Sequence, residues 1–252
     1  MRIAFSFIVA GLAALALPVW AQSPDHGIVH FPGPGFHTTP VTSGAPYSAE
    51  EIRECLQVGS DGTRFTTTGP NETIYRDSEG RMRTEHTSML GMTTPPGAPW
   101  IIEIEDPVAK VSYVLDAQAK VAHRVAWLSP PARAASSPLP AHGTRSQLTT
   151  QDLGQREIQG VMAQGNRHVE RRPTGTSGSD RPFQIVEESW YSPGLQQAVL
   201  HKTSDPRSGE STIQLIHIDR SEPPASLFEA PPDYTVVDET GPFQIEWTAA
   251  KQ

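Results

Sequence analysis

The residues that could support catalysis are spread along the sequence without a recognisable catalytic pattern. Cys55 is the only cysteine, and a cysteine nucleophile requires a nearby base and surroundings that lower the pKa of its thiol. No histidine lies close to it in the sequence, and on an extended strand Cys55 would share a polar face with Glu51, Arg53 and Gln57. We therefore interpret Cys55 as a free thiol without a catalytic role.

Two groups of carboxylates stand out, Glu103 with Glu105 and Asp106, and Glu187 with Glu188. A carboxylate pair can act as general acid and base. Glu103 and Glu105, however, alternate with isoleucines, as on a half-buried strand whose polar side faces water. Solvated charge is the interpretation that we favour for both groups.

Five of the nine histidines fall into two sets. His26, His30 and His37 lie in a segment rich in Pro and Gly, where neutral imidazoles could bind a transition metal, but no carboxylate or thiolate pattern accompanies them. His123 and His217 alternate with apolar residues and are expected to be partly buried and structural. We predict no metal site and no cofactor.

The sequence also lacks a Gly-x-Ser-x-Gly motif, a phosphate-binding glycine-rich motif and a His-Glu-x-x-His motif. The common signatures of serine hydrolases, nucleotide-binding proteins and zinc proteases are therefore missing. Catalytic residues can also be far apart in a sequence, so a hydrolase with dispersed residues stays open as the least favoured alternative.

A hairpin around the turn Asp77-Ser78-Glu79-Gly80 contains arginines that form a further candidate site. With Gly80 in the left-handed conformation, Asp77 would face Arg81, Tyr75 would face Arg83, and Thr73 would face Glu85. Cross-strand pairs of this kind stabilise a register by about 0.2–1 kcal/mol each. We interpret these charges as the solvated face of a hairpin.

Composition excludes several classes of function. The chain has 252 residues and a formal net charge of −8, which argues against nucleic-acid binding because phosphate contacts need a basic surface. One cysteine excludes an internal disulfide. With 24 prolines, long helices are not expected, and extended segments joined by loops are.

Residues 1–21 have the organisation of a secretory signal peptide, with Arg2, an apolar run and a small residue at Ala21. A membrane anchor is the alternative, but the apolar run is shorter than the roughly 20 residues that a spanning helix needs. We predict cleavage after Ala21, no membrane span, and a location in the periplasm or outside the cell.

The remaining chain divides by composition. We predict a flexible Pro/Gly/His-rich arm at 22–46, a β domain at 47–239 that carries a Pro/Ala/Ser loop at 128–147, and a C-terminal tail at 240–252. About ten runs of β-branched and aromatic residues, separated by turn clusters, predict a mainly β fold. The expected architecture is a single strongly curved antiparallel sheet, either a half-barrel or a partly closed barrel, with few short helical turns.

One segment of the β domain is ambiguous. Residues 48–51 match a helix capping box, and Ile52, Cys55 and Leu56 have helical spacing. Ile52, Leu56 and Val58 also share strand parity and lead into a turn at 59–62. We favour the strand.

Five motifs are shared with known proteins: Tyr75-Arg76-Asp77-Ser78-Glu79-Gly80-Arg81-Met82-Arg83-Thr84-Glu85, Asp106-Pro107 followed by Tyr113-Val114-Leu115-Asp116, Ile158-Gln159-Gly160-Val161, Glu188-Ser189-Trp190-Tyr191-Ser192-Pro193, and Ser226-Leu227-Phe228-Glu229-Ala230-Pro231-Pro232-Asp233-Tyr234. Together they resemble a group of uncharacterised exported bacterial β-rich proteins. The last motif also resembles the C-terminal part of the lipoprotein-carrier and anti-sigma-regulator (LolA/RseB-like) half-barrel domains. That resemblance implies a curved sheet able to hold acyl chains, and it transfers no individual binding residue.

The leading hypothesis is therefore an exported, non-enzymatic binding module that holds a lipid, an acylated protein or another hydrophobic ligand on the apolar face of its sheet. The alternative is a structural or sensory envelope domain that binds a protein partner through its sheet edges or the arginine-bearing hairpin. The residues predicted to line the ligand site are Trp100, Ile102, Ile104, Val121, Val125, Trp127, Trp190 and Leu215.

Overall fold

The structure, a computed structural model, describes residues 26–35, 41–69, 71–87, 100–128 and 147–248. These residues form fifteen strands and two short 3-10 turns, Thr176–Gly178 and Ala225–Phe228. The first eight strands are β1 (His26–Phe31), β2 (Tyr47–Val58), β3 (Arg64–Thr68), β4 (Glu72–Arg76), β5 (Met82–Thr87), β6 (Trp100–Asp106), β7 (Val111–Asp116) and β8 (Val121–Ala126). The others are β9 (Gln147–Ile158), β10 (Val161–Arg172), β11 (Phe183–Ser192), β12 (Gln197–Asp205), β13 (Gly209–Asp219), β14 (Thr235–Glu239) and β15 (Phe243–Thr248).

Thirteen of the strands form one large curved sheet that does not close into a barrel. Its order is β14-β8-β7-β6-β5-β4-β2-β13-β12-β11-β10-β9, with β3 paired to β2 beside this path. Every pair is antiparallel except β14 with β8. The prediction of a mainly β, strongly curved half-barrel is confirmed.

Strand β2 resolves the ambiguity of residues 48–57 in favour of the strand. Its first half pairs with β4 and its second half with β3, while β13 runs along the other side. Alternate side chains at its start are buried, with Tyr47 at 0% and Ala49 at 3% exposure. A helix would have lost these ladders on both sides of the segment.

The β4–β5 hairpin has the predicted register. Thr73 lies opposite Glu85 and Tyr75 opposite Arg83, and Gly80 has φ +85°. The expectation that its charges are solvated is wrong, because Asp77 is 1% exposed. The 3-10 turn at 225–228 covers this hairpin, and the Leu227 carbonyl accepts a hydrogen bond from Arg83 Nη1 at 3.0 Å.

Two segments predicted to be irregular are strands. Residues 26–31, inside the expected flexible arm, pair as β1 with β15, which lies inside the expected tail, and together they form a separate two-stranded sheet. Gly27 faces Trp247 in this ladder, and the indole lies over it, 2.4 Å from where a Cβ would be. The pairing joins residues more than 200 positions apart, so local sequence patterns did not predict it.

Three clusters of buried side chains form the core. The Trp190 cluster lies under β2, β4 and β10–β13, the Ile104 cluster lies under the 225–228 turn, and the Ile101 cluster lies under the two-stranded sheet. The Trp190 cluster contains Tyr47, Trp190 and Leu215. The Ile104 cluster contains Ile104, Leu115 and Phe228. The Ile101 cluster contains Ile101, Val114 and Ile245. In the β6–β8 region both faces of the large sheet are therefore covered.

The predicted signal peptide at 1–21 and residues 129–146 of the predicted Pro/Ala/Ser loop lie outside the described residues. In the part of the chain that is described, no helix has the length and apolar character needed to cross a bilayer.

Candidate functional site

The candidate site is a groove between the large sheet and the two-stranded sheet, called the Trp127 groove here. Its volume is about 220 Å³. The large sheet supplies one wall from β6, β7 and β8, and the other wall comes from the end of β1, the loop after it and the start of β15. The lining residues are Phe31, Pro32, Gly33, Gly35, Glu103, Ser112, Val114, Val125, Trp127 and Phe243.

Stacked aromatic rings form the inner end of the groove wall. Phe243 stacks on Phe31 with ring centroids 4.9 Å apart, and on His123 with centroids 4.6 Å apart. His123 is in turn held by Glu239, whose Oε1 lies 2.7 Å from the imidazole Nδ1. The imidazole is partly buried and structural, as its alternation with apolar residues predicted.

A close backbone approach fixes the loop that follows β1. Gly33 has φ +76°, and a Cβ at this position would lie 2.3 Å from the carbonyl oxygen of Gly241. Only glycine fits such a contact without displacing backbone. The loop is also tied to the end of β8, because the Leu128 amide donates to the Gly35 carbonyl at 2.9 Å.

The indole of Trp127 is held in a defined orientation. Its Nε1 donates a hydrogen bond to Ser112 Oγ at 2.6 Å, so the polar edge of the ring is satisfied within the protein. The ring lines the groove together with Val125 and Phe243. An indole anchored through its nitrogen offers a rigid apolar surface to a ligand.

The groove has one charged lining residue among those described, Glu103. Its Oε1 lies 3.1 Å from Nε2 of His86, and this hydrogen bond is the largest cause that raises the pKa of His86 above its ordinary value of 6.5, against the opposing effect of burial. The carboxylate is therefore engaged with an imidazole at the edge of the groove.

The eight predicted ligand-binding residues do not share one surface. Val125 and Trp127 line the Trp127 groove. By register, Val121 lies on the same face of the sheet and Ile102 on the opposite one. Trp100 lies two residues before Ile102 on β6 and therefore on the same face of the sheet as Ile102. Its exposed fraction is 50%.

The other predicted residues belong to the core. Ile104 has no exposed area and packs against Leu115 and Phe228, while Ile102 packs at the edge of the same cluster. Trp190 and Leu215 are 5% and 2% exposed in the Trp190 cluster. The side chains of Ile104, Trp190 and Leu215 are thus covered by other protein atoms.

Sequence reasoning missed the half of the groove that comes from the chain ends. Phe31, Pro32 and Phe243 were assigned to an arm and a tail. The available signal was the alternation in Phe243–Thr248, where every second residue is polar; in His26–Phe31 the alternation is interrupted by Ile28. That pattern was too short to outweigh the Pro and Gly residues around it.

The other residues considered for catalysis, Cys55 and Glu188, contact different parts of the protein. Cys55 Sγ lies 3.9 Å from Ser211 Oγ across the β2–β13 ladder. Glu188 accepts hydrogen bonds from Trp190 Nε1 at 2.7 Å and from Arg167 Nη2 at 2.9 Å, and these two contacts lower the pKa of the Glu188 carboxyl. Glu188 is therefore ionised at neutral pH and unsuited to act as a general acid.

No metal cluster is found in the described part of the chain. Of the three histidines considered as ligands, His26 and His30 are four residues apart on β1, a backbone separation of about 13 Å on an extended strand. His37 lies outside the described residues.

No protein-family model matches this chain, and no curated protein sequence is significantly similar to it. Solved structures of similar fold do exist. An uncharacterised conserved protein from Thermus thermophilus is 14% identical over 77% of this chain and 90% of its own, with a TM-score of 0.39. MucB from Pseudomonas aeruginosa, in a complex with MucA, is 10% identical over 77% of this chain, with a TM-score of 0.39. A LolA superfamily protein from Nitrosomonas europaea is 10% identical over 73% of this chain and 90% of its own, with a TM-score of 0.29.

The match spans 58% of the length of MucB. MucB and a LolA superfamily protein are thus among the solved structures that match, in line with the weak resemblance to LolA/RseB-like domains that the sequence motifs indicated. At these identities and TM-scores the matches say nothing about the ligand of this protein.

Proposed function

We propose that this protein is an exported, non-enzymatic binding module whose Trp127 groove holds an acyl chain, presented by a lipid or by an acylated protein. The observation that carries the proposal is an open groove, formed by the described residues, that is lined by aromatic and aliphatic side chains. Phe31, Val125, Trp127 and Phe243 supply that surface. Burying such side chains against a hydrocarbon is favourable by about 25 cal/mol per Å².

The size of the groove favours a chain end over a complete lipid. Its volume of about 220 Å³ lies below the roughly 300–1,000 Å³ typical of sites that enclose a drug-sized molecule. A single acyl chain could insert one end while the rest of the molecule stays outside.

The charge of the groove supports the same ligand. Its one charged lining residue in the described structure, Glu103, is paired with His86. A phosphate or carboxylate in the groove would lie close to this carboxylate, and the described lining residues include no cation to pair with it. The inserted part of the ligand is therefore uncharged.

The polar groups of the groove support a binding role rather than catalysis. Ser112 accepts the Trp127 indole hydrogen bond and Glu103 pairs with His86, so both act in positioning. The arginines of the β4–β5 hairpin are also engaged, Arg81 with Asp77 at 2.6 Å and Arg83 with Glu85 at 2.6 Å. This leaves them poorly placed to bind a protein partner.

The test is quenching of tryptophan fluorescence by the methyl ester of a brominated long-chain fatty acid, which has an acyl chain but no carboxylate. We expect quenching in the wild-type protein and its loss in Trp127→Phe, with retention in the control Trp100→Phe, whose indole lies on the opposite face. Val125→Asp, which places a carboxylate in the groove, should weaken binding at least tenfold, because burying an unpaired charge is unfavourable.

Val108→Asp is the matched control, since Val108 is 64% exposed in the β6–β7 turn. Equal quenching in Trp127→Phe and wild type, or equal affinity of the two aspartate variants, would refute the assignment of the groove. Native mass spectrometry of protein isolated from an exporting cell should also show an acyl-chain ligand. Hydrolysis of generic esters that is lost in Glu187→Gln or Cys55→Ala would instead support the hydrolase alternative.

A further inference from the structure

A second groove lies at the other end of the large sheet and is called the Arg220 groove here. It has a volume of about 290 Å³ and lies between the β9–β10 turn and the β11–β12 turn. Three apolar side chains, Val161, Ala163 and Leu195, are 6%, 1% and 1% exposed at its base, and Met162 is 53% exposed at its rim.

The polar side of this groove differs from that of the Trp127 groove because it carries a cation. Arg220, just after β13, lines it. Most arginines of the described chain are in ion pairs with carboxylates. Arg220 makes no hydrogen bond or ion pair to any residue that the structure describes, in a protein whose formal net charge is −8.

A hydroxyl lies beside this guanidinium. Ser192, at the end of β11, lines the same groove and has no hydrogen-bond partner among the described residues, although the residue is only 1% exposed. A Cβ at Gly194 would lie 3.9 Å from both Ser192 Oγ and Arg220 Nη2. Because Gly194 has no side chain, it leaves a space that is bordered by both the Ser192 hydroxyl and the Arg220 guanidinium.

From this arrangement we infer that the Arg220 groove is a second ligand site, which binds a small apolar carboxylate such as a medium-chain fatty acid. The carboxylate lies above Gly194, between Arg220 and Ser192, which both donate hydrogen bonds to it. The hydrocarbon lies along Val161, Ala163 and Leu195. The inference does not depend on the Trp127 groove, because the two sites share no lining residue.

Charge complementarity selects this ligand. A guanidinium is always charged and binds carboxylates with strong, short hydrogen bonds, whereas an alcohol or alkane of the same length gains nothing from it. The concave shape and the volume, at the lower end of the range for small-molecule sites, favour a small molecule over a folded partner.

The test is calorimetric titration of the full mature protein with decanoate, and with decanol as the neutral counterpart. We expect decanoate to bind at least tenfold more tightly than decanol. Arg220→Gln should reduce the decanoate affinity about tenfold, as expected for loss of a charged hydrogen bond, and leave decanol binding unchanged. Arg171→Gln, at an exposed arginine of β10, is the matched control and should bind like wild type.

Gly194→Val gives an independent check. Gly194 does not have a positive φ, so its backbone conformation is compatible with a side chain. The valine side chain would fill the space beside Ser192 and Arg220. Decanoate affinity should fall at least tenfold in this variant, while Val125→Asp, in the Trp127 groove, should retain the preference for decanoate over decanol.

Equal affinities for decanoate and decanol, or wild-type decanoate binding in Arg220→Gln, would overturn the inference. Binding of a peptide with an apolar C-terminus in place of decanoate would also overturn it. If only the Trp127 groove fails to bind a ligand, binding of the long-chain probe will not respond to Val125→Asp, whereas decanoate binding will still be weakened by Arg220→Gln. The two proposals therefore fail separately.

Discussion

Two buried residues near the start of the β domain have unusual polar surroundings. The guanidinium of Arg76 is 2% exposed and donates to the Ala45 carbonyl from Nε at 3.0 Å and from Nη2 at 2.7 Å, and also to the Leu195 carbonyl. It lies over the ring of Tyr47, 4.7 Å from the centroid. Arg76 thereby ties the β4–β5 hairpin to the β11–β12 turn.

The Tyr47 hydroxyl is buried without a hydrogen-bond partner among the described residues. An unsatisfied buried hydroxyl is unfavourable by about 1–3 kcal/mol, and phenylalanine keeps the ring under Arg76. We therefore expect Tyr47→Phe to raise the free energy of unfolding by about 1 kcal/mol, measured by urea denaturation. Tyr191→Phe, at a 45% exposed tyrosine, is the control with little expected change. A clear loss of stability in Tyr47→Phe would mean that the hydroxyl has a partner.

The His86–Glu103 pair makes stability depend on pH. The hydrogen bond to Glu103 raises the pKa of His86 above 6.5 in the folded protein. The folded state therefore binds the proton more tightly, and the pair stabilises the protein fully below the unfolded pKa and loses this effect as the pH rises through the folded pKa. As the pH rises from the ordinary histidine pKa of 6.5 through the raised pKa of His86 in the folded protein, the free energy of unfolding should fall more steeply in wild type than in His86→Gln.

Glu103→Gln removes the partner and should flatten the same pH dependence. Urea denaturation at several pH values measures both variants. Identical slopes in wild type and His86→Gln would show that the imidazole does not gain a proton on folding.

At the scale of elements, the two-stranded sheet decides whether the Trp127 groove exists. Its β1 and β15 place Phe31 and Phe243 opposite the wall formed by β6–β8. It packs through Val29, Phe31, Phe243 and Ile245 on the Ile101 cluster. The groove is thus a product of docking between two sheets rather than of the curvature of one.

The contact between Gly33 and Gly241 should be sensitive to a single methyl group. Gly33→Ala requires an unfavourable positive φ and meets the Gly241 carbonyl, so we expect a loss of about 1–3 kcal/mol in unfolding free energy. Gly35→Ala is the matched control, because its Cβ would have its nearest neighbour at 3.9 Å. Urea denaturation and acyl-chain binding should both be impaired in Gly33→Ala only. Equal stability of the two variants would show that the loop moves freely away from residue 241.

At the scale of the whole molecule, one sheet carries two grooves of opposite electrostatic character. The Trp127 groove lies against the β6–β8 strands, where both sheet faces are covered. The Arg220 groove lies where the turns of β9–β12 meet the end of β13. An open sheet with long edges leaves such surfaces at its ends, where a closed barrel would not.

The sequence by itself determined the strands of the β domain and the register of the β4–β5 hairpin. These features depend on residues close together in the chain, such as Gly80 at its turn or the alternating residues around Ile104. They can be predicted from the sequence because turn sterics and side-chain periodicity are local properties. The same periodicity placed Val121 and Val125 on one face of β8.

Only the tertiary structure decided which apolar residues are core and which face open space. Ile104 and Trp127 belong to the same run of apolar strands, yet one is enclosed by Phe228 and the other lines a groove beside Phe243. The difference arises from segments that dock from more than a hundred residues away. A side chain is buried when other residues pack over it. When those residues are distant in the sequence, local periodicity does not predict the burial.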